Sequence, residues 1–167
     1  MSSVLDILNK FGKDVQAGAK KELRTKKKNA SRDLSKSISF KAKESKNSFE
    51  LSFFMEDYGK FIDKGVKGSK SSEKAPLSPY KYTNKMPPSK VFDKWSIRRG
   101  IAPRTAGGQF VKRKSIIFAI ARSIFLTGIK TTNFFTKPFE KEFKELPDEM
   151  VEAYGLEVDD LLKFSFK

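Results

Sequence analysis

The stretch GIKTTNFFTKPF, residues 128–139, carries three phenylalanines in twelve positions and lies between an almost wholly apolar segment and a strongly acidic one. Its rings either fill the core of a small domain or grip something outside the chain, and the fold turns on which. Just upstream, SIIFAIARSIFLTGI (115–129) is apolar on nearly every face of a helix. Such a helix is either central to a core or turns its second face to another subunit. Arg122 is its only charge and is expected to reach water or a carboxylate in a structural ion pair. With Arg122 inside it, the run falls short of the roughly 20 apolar residues that span a membrane. Just downstream, Phe139, Phe143, Leu146 and Met150 recur at helical spacing. Pro147 should begin a new turn there, Gly155 should end it, and Leu156 to Phe164 suggests a last short helix. The expectation for the quoted stretch is therefore split. Phe139 and Phe143 belong to a packed helix, whereas Phe134 and Phe135 fasten the junction with the apolar helix, at or near a subunit interface.

At the other end of the chain, Ser3 followed by Asp6 resembles a capping box, and Val4, Leu8, Phe11, Val15, Ala19 and Leu23 recur every three or four residues. This predicts an amphipathic helix of some 20 residues. Gly12 and Gly18 each weaken it by about 1 kcal/mol relative to alanine, so it needs packing partners. The basic run at its far end, KKELRTKKKNASR (20–32), reads as a solvated helix end whose cations suit the dipole, or as a phosphate-contacting patch. From Leu34 the period changes to two. Ile38, Phe40 and Ala42, then Phe49, Leu51, Phe53 and Met55, predict an antiparallel hairpin with one buried face.

Tyr58, Phe61 and Ile62 have the spacing of a short helix, after which the sequence dissolves into Gly, Ser, Lys and Pro. A long exposed basic loop is expected over 66–88, too long to be idle in a compact domain. Lys64, Lys67, Lys70, Lys74, Lys81 and Lys85 make it a candidate docking or phosphate-contacting loop. Ser89 to Arg99 predicts a helix with Val91, Phe92 and Trp95 on one side, closed by Gly100, and residues 102–114 form a second loop, flexible at Gly107 and Gly108. The fold class expected is α+β: an amino-terminal amphipathic helix, a small antiparallel hairpin or sheet, and a helical carboxyl-terminal half with long basic loops. All 167 residues are read as a single domain, able to bury roughly two-thirds of its unfolded surface, with 147–167 as an acidic extension.

Composition narrows the chemistry. The chain has no cysteine, which removes disulfides and thiolate catalysis and suits a cytoplasmic site of assembly. It has no histidine, the commonest general base and transition-metal ligand. The amino terminus has no basic region before its apolar positions and predicts no signal peptide. Of the net charge of +15, residues 1–48 hold +8 and 49–114 hold +9, whereas 115–167 hold −2. A basic surface can meet nucleic acid, and a bipolar chain can meet the opposite pole of its neighbour. Glu56, Asp57 and Asp63 with Lys60, and separately Asp159 and Asp160, are groupings of the kind that could hold magnesium, and nothing in their spacing fixes a metal geometry. No phosphate loop, nucleophile elbow or zinc spacing occurs. No catalytic residue, metal or cofactor is therefore expected. Tyr80 and Tyr82 between lysines form the one cluster of rings and cations of the kind single-strand binders use, and packing or docking accounts for it equally well.

Taken together, the layout resembles the small neck proteins of tailed bacteriophages, the head-to-tail connector or tail-completion family. The similarity lies in the amino-terminal helix, the hairpin running into YGKFIDKG (58–65), the long basic loop, and the blocks WSIRRGI (95–101), FAIARSI (118–124) and GIKTTNFF (128–135), ending near Phe139. It covers residues 1–145, and the Lys-, Phe- and Ser-rich composition is similar to that of phages of AT-rich hosts such as the crAss-like group. The resemblance implies an α+β fold, a homo-oligomeric ring joining portal and tail around the DNA path, a virion location after assembly in the host cytoplasm, and no enzyme activity. Its partners would be further copies of itself, the portal, other neck and tail proteins and, non-specifically, genomic DNA, with no membrane. Phe134, Phe135, Phe139, Tyr58 and Phe61 are then the candidate subunit interface. The alternative is a basic nucleic-acid-binding protein, followed by a metal-dependent nuclease or toxin domain.

Overall fold

The computed structural model describes residues 4–26, 31–45 and 48–146. It is mixed α+β, with an amino-terminal helix, a small antiparallel two-stranded sheet and further helices in the carboxyl-terminal half. The described backbone gathers into two compact units: one from the described residues up to Asp63 together with 133–146, the other from residues 64–132. The second is thus an insertion in the first, at positions where the sequence reading drew no boundary.

In the first unit the three-to-four period becomes helix α1 (Val4–Thr25), with Leu8, Phe11, Val15, Ala19 and Leu23 buried along one stripe. Both of its glycines are sites of close approach. A Cβ at Gly12 would collide with the Phe40 ring, and one at Gly18 would lie 2.8 Å from Pro138 Cβ. The helix gives up intrinsic propensity to let the hairpin and the last helix pack against it. Ser3, the expected cap, lies outside the described residues, as do the centre of the basic run at 27–30 and everything after Leu146, including Met150 and the expected helix from Leu156.

Strands β1 (Ser39–Ser45) and β2 (Ser48–Phe54) pair in the register Phe40↔Phe53, Ala42↔Leu51 and Glu44↔Phe49. That register places the alternating apolar residues on one face, with Phe53 buried. The hairpin begins later than the sequence period suggests. Leu34 lies in a short helix, α2 (Asp33–Ser37), and turns its side chain into the core. Ser37 ends that helix by donating from Oγ to the Leu34 carbonyl (2.9 Å) and accepting from Glu56 N–H (3.0 Å). A serine with a local carbonyl to bond competes with strand pairing, which is why the period of two starts only after it.

Helix α3 (Gly59–Lys64) follows the hairpin, and helix α6 (Thr136–Phe143) closes the described part of the unit. Phe134 and Phe135 are fully buried and Phe139 is 2 % exposed. Phe135 meets Phe53 edge to face at 5.2 Å, Phe139 meets Phe11 likewise at 5.4 Å, and Phe139 stacks on both Phe135 and Phe143. The opening stretch is therefore core. The expectation that Phe134, Phe135 and Phe139 face a subunit is corrected, because side chains with no exposed surface have none to offer a partner.

The second unit begins and ends in one ladder. Strand β3 (Val66–Lys67) pairs antiparallel with β4 (Gly128–Ile129), and Thr131 Oγ1 donates to the Lys64 carbonyl (2.8 Å). Between them lie α4 (Val91–Arg98) and α5 (Arg113–Thr127). The stretch 66–88, expected as an exposed loop, is fastened along much of its length. Ser69 N–H donates to Phe125 O, and the Lys70 and Ser71 N–H groups donate to Leu126 O. These are carbonyls of the last turn of α5, which have no partner inside the helix. Ala75 and Ser78 are buried, and Ser78 Oγ donates to Gly65 O (2.7 Å).

Candidate assembly surface

The carboxylate grouping that could have held a metal is divided by burial. Asp63, at the end of α3, is wholly buried. Its Oδ1 accepts from the N–H groups of Phe135 (2.8 Å) and Thr136 (3.2 Å), and its Oδ2 accepts from Thr136 Oγ1 (2.5 Å). Asp63 thus caps the first N–H groups of α6, whose N-cap residue is Phe135, from a position 72 residues earlier in the chain. Its carbonyl also accepts from Asn133 N–H (3.0 Å), so both sides of the insertion are pinned at one residue. Glu56 and Asp57 are exposed, and among the described residues no three acidic groups are placed to hold a metal ion. Asp159 and Asp160 lie outside the described residues. No helix among the described residues is long and apolar enough to cross a membrane.

Of the remaining sequence candidates, Tyr58 is 39 % exposed, and Phe61 is half-buried beneath Lys60, whose Nζ lies 5.4 Å from the ring centroid. Burial pushes the Tyr58 hydroxyl above its usual pKa, with Asp33 and Glu56 adding to the effect and a hydrogen bond to Leu34 opposing it. The lysines of the candidate docking loop differ in exposure. Lys64 and Lys67 are half-buried, while Lys70, Lys81 and Lys85 are exposed. Lys74 donates to Thr127 Oγ1 (2.7 Å). The Lys67 backbone bonds to both Tyr80 and Tyr82. Tyr82 packs beside Phe125, and burial raises its pKa. The tyrosine cluster is thus at least half packing.

A different surface stands out on α4, α5 and the residues between them. Helix α4 ends where the sequence indicated. Gly100 adopts φ +63°, and its N–H and that of Ile101 donate to the carbonyls of Ile97 and Ser96, a Schellman closure. Residues 103–111 then form a small hairpin of their own: Thr105 N–H donates to Gln109 O (2.8 Å), Val111 N–H to Pro103 O (3.0 Å), and Gly108 turns at φ +80°. The Arg104 guanidinium lies 3.9 Å from the centroid of the Phe110 ring and donates to Gly108 O, locking the tip. At the base, Arg113 pairs with Asp93 and so joins α5 to α4. The second loop is therefore an ordered arm, and every residue from Ile97 to Phe110 is exposed.

This surface is apolar as well as basic. Val91 is 61 % exposed, Ile97 57 %, Phe110 63 % and Phe118 52 %. Of the apolar residues of α5, only Ile117 and Ala121 are buried, and Arg122 points to water. No protein family, curated protein or solved structure matches the chain. The surface itself is thus the ground for a functional reading. Sequence reasoning placed Val91, Phe92 and Trp95 on one side of a helix but had no signal that this side is left uncovered.

Proposed function

We propose that the chain is a structural subunit that associates with copies of itself, as the ring that joins portal to tail in a phage neck. The observation that carries this is the state of α5. A helix apolar on nearly all faces fully buries only Ile117 and Ala121, leaves Ile116, Ile120, Ile124, Phe125 and Leu126 half-buried, and holds Phe118 half in water. Exposed apolar patches of this kind mark interaction sites, and an obligate homo-oligomer interface is where a helix hydrophobic all round is satisfied. The polarity of charge along the chain supports a head-to-tail arrangement, in which two different surfaces of one subunit meet and a rotation closes the ring. The virion location, the portal and the tail as neighbours follow from the resemblance in layout.

Sedimentation velocity of wild type and Phe118→Glu tests it. Wild type should sediment as a discrete oligomer and the variant as a single chain with unchanged far-ultraviolet circular dichroism. Equal sedimentation of the two as single chains overturns the proposal. A second reading, a basic nucleic-acid-binding protein, is favoured by the exposed Trp95 and Phe110 rings with Arg99 and Arg104 against them. It requires duplex or single-strand affinity that falls steeply with salt.

A further inference from the structure

We infer that the surface of α4, the arm and α5 seats the acidic carboxyl-terminal segment, residues 147–167, of a neighbouring copy. The inference rests on the self-assembly proposed above and names the two surfaces that meet. From Ile97 to Lys114 the chain carries six cations, Arg98, Arg99, Arg104, Lys112, Arg113 and Lys114, and no acid. The same two helices and the arm also expose the apolar side chains of Val91, Ile97, Phe110 and Phe118. An occupant must match both features. Duplex DNA would meet the cations, but it offers apolar contact only at thymine methyls and base steps within its grooves, whereas an acidic apolar peptide offers both along its length. Residues 147–167 hold six acidic groups against two basic, together with apolar Val151, Leu156, Val158, Leu161, Leu162 and Phe164. Residues 49–69 also combine a slight acidic excess with many large apolar residues, but they are taken up in β2, α3 and β3.

The receiving side is already ordered. The Schellman closure, the hairpin bonds and the Arg104–Phe110 stack hold the arm without a partner, so docking costs little conformational entropy on that side. Opposite charges select the partner and fix its register, while apolar burial supplies affinity. Because the segment and the arm are different parts of the chain, each copy gives one and receives the other, which is the heterologous contact that builds rings.

Charge exchange between two full-length variants tests this by native mass spectrometry. The arm variant carries Arg98→Glu, Lys112→Glu and Lys114→Glu, sparing Arg104 and Arg113, which hold the arm and the helix pair. The tail variant carries Glu157→Lys, Asp159→Lys and Asp160→Lys. Each alone should need roughly tenfold or more protein for half-assembly, since like charges are then opposed. An equimolar mixture should assemble as wild type does, because arm and tail again match between copies, and a misfolded chain could not be rescued in this way. Variants that assemble like wild type overturn the inference and leave the ring proposal standing. Failure of the mixture places the contact within one chain or elsewhere, and also overturns it. Loss of short-duplex binding by the arm variant, with assembly unchanged, assigns the surface to nucleic acid instead. Wild type that stays a single chain at every concentration overturns the self-assembly proposal and this inference with it.

Discussion

Replacing Asp63 with alanine should destabilise the first unit well beyond what removal of an ordinary carboxylate does. The side chain is wholly buried and accepts two backbone N–H groups and one hydroxyl at the start of α6. Without it, the Phe135 and Thr136 N–H groups are left buried and unpaired, at about 1–3 kcal/mol each. The variant recovers the cost of dehydrating a carboxylate, which offsets part of that loss. The net expected is about 3 kcal/mol, or a fall in Tm of roughly 10 °C for a chain of this size. Asp63→Asn should cost about half as much, because an amide oxygen still accepts from the backbone donors while the Thr136 hydroxyl turns to accept from the amide. Urea denaturation followed by circular dichroism measures the loss. Fluorescence of Trp95, the only tryptophan, reports the second unit separately. Asp57→Ala, at an exposed position, should stay within about 0.5 kcal/mol of wild type. If Asp63→Ala falls within about 1 kcal/mol of wild type, the carboxylate is not the cap that holds α6, and the account of the first unit is wrong.

Gly12→Ala and Gly18→Ala should each lower stability by about 1–2 kcal/mol in a chemical melt, since the added methyl meets Phe40 or Pro138; stabilisation would mean that helix propensity outweighs packing there. Phe135→Ala should cost about 3–5 kcal/mol without altering the stoichiometry of the folded protein, and a change in assembly without loss of Tm would return that ring to an interface. Tyr58 and Tyr82 titrate above the ordinary tyrosine value. A folded pKa above the unfolded one gives stability that is complete below about pH 10 and is lost as pH rises through the folded value. Absorbance titration at the tyrosinate band should therefore show a late component that Tyr82→Phe reduces, and stability should fall above about pH 10.

Legibility in the sequence followed periodicity. Residues of α1 repeat every three or four and those of the hairpin every two, so both elements could be read directly, while the register that pairs Phe40 with Phe53 could not. Phe134 and Phe135 have no such period. Two adjacent rings beside a lysine-rich turn look the same whether they face a core or a partner, and only the packing of Phe53 and Phe139 around Phe135 decides it. Asp63 was legible as an acid but not as a cap, because its partners lie more than seventy residues away. The 66–88 stretch is held by backbone groups bonding to the end of α5, and backbone bonds leave no mark on side-chain pattern. The arm's components were visible as Gly100, Gly107 and Gly108 among arginines, yet glycine signals flexibility and tight turns alike, and here Gly100 and Gly108 make turns.

Native mass spectrometry of the purified full-length chain across a concentration series, repeated with short duplex DNA, tests the central claim most directly. The account predicts closed oligomers of one fixed stoichiometry without DNA and indifferent to it. A chain that remains single and takes up DNA in salt-sensitive, length-dependent numbers would contradict it and make the exposed arm a nucleic-acid surface.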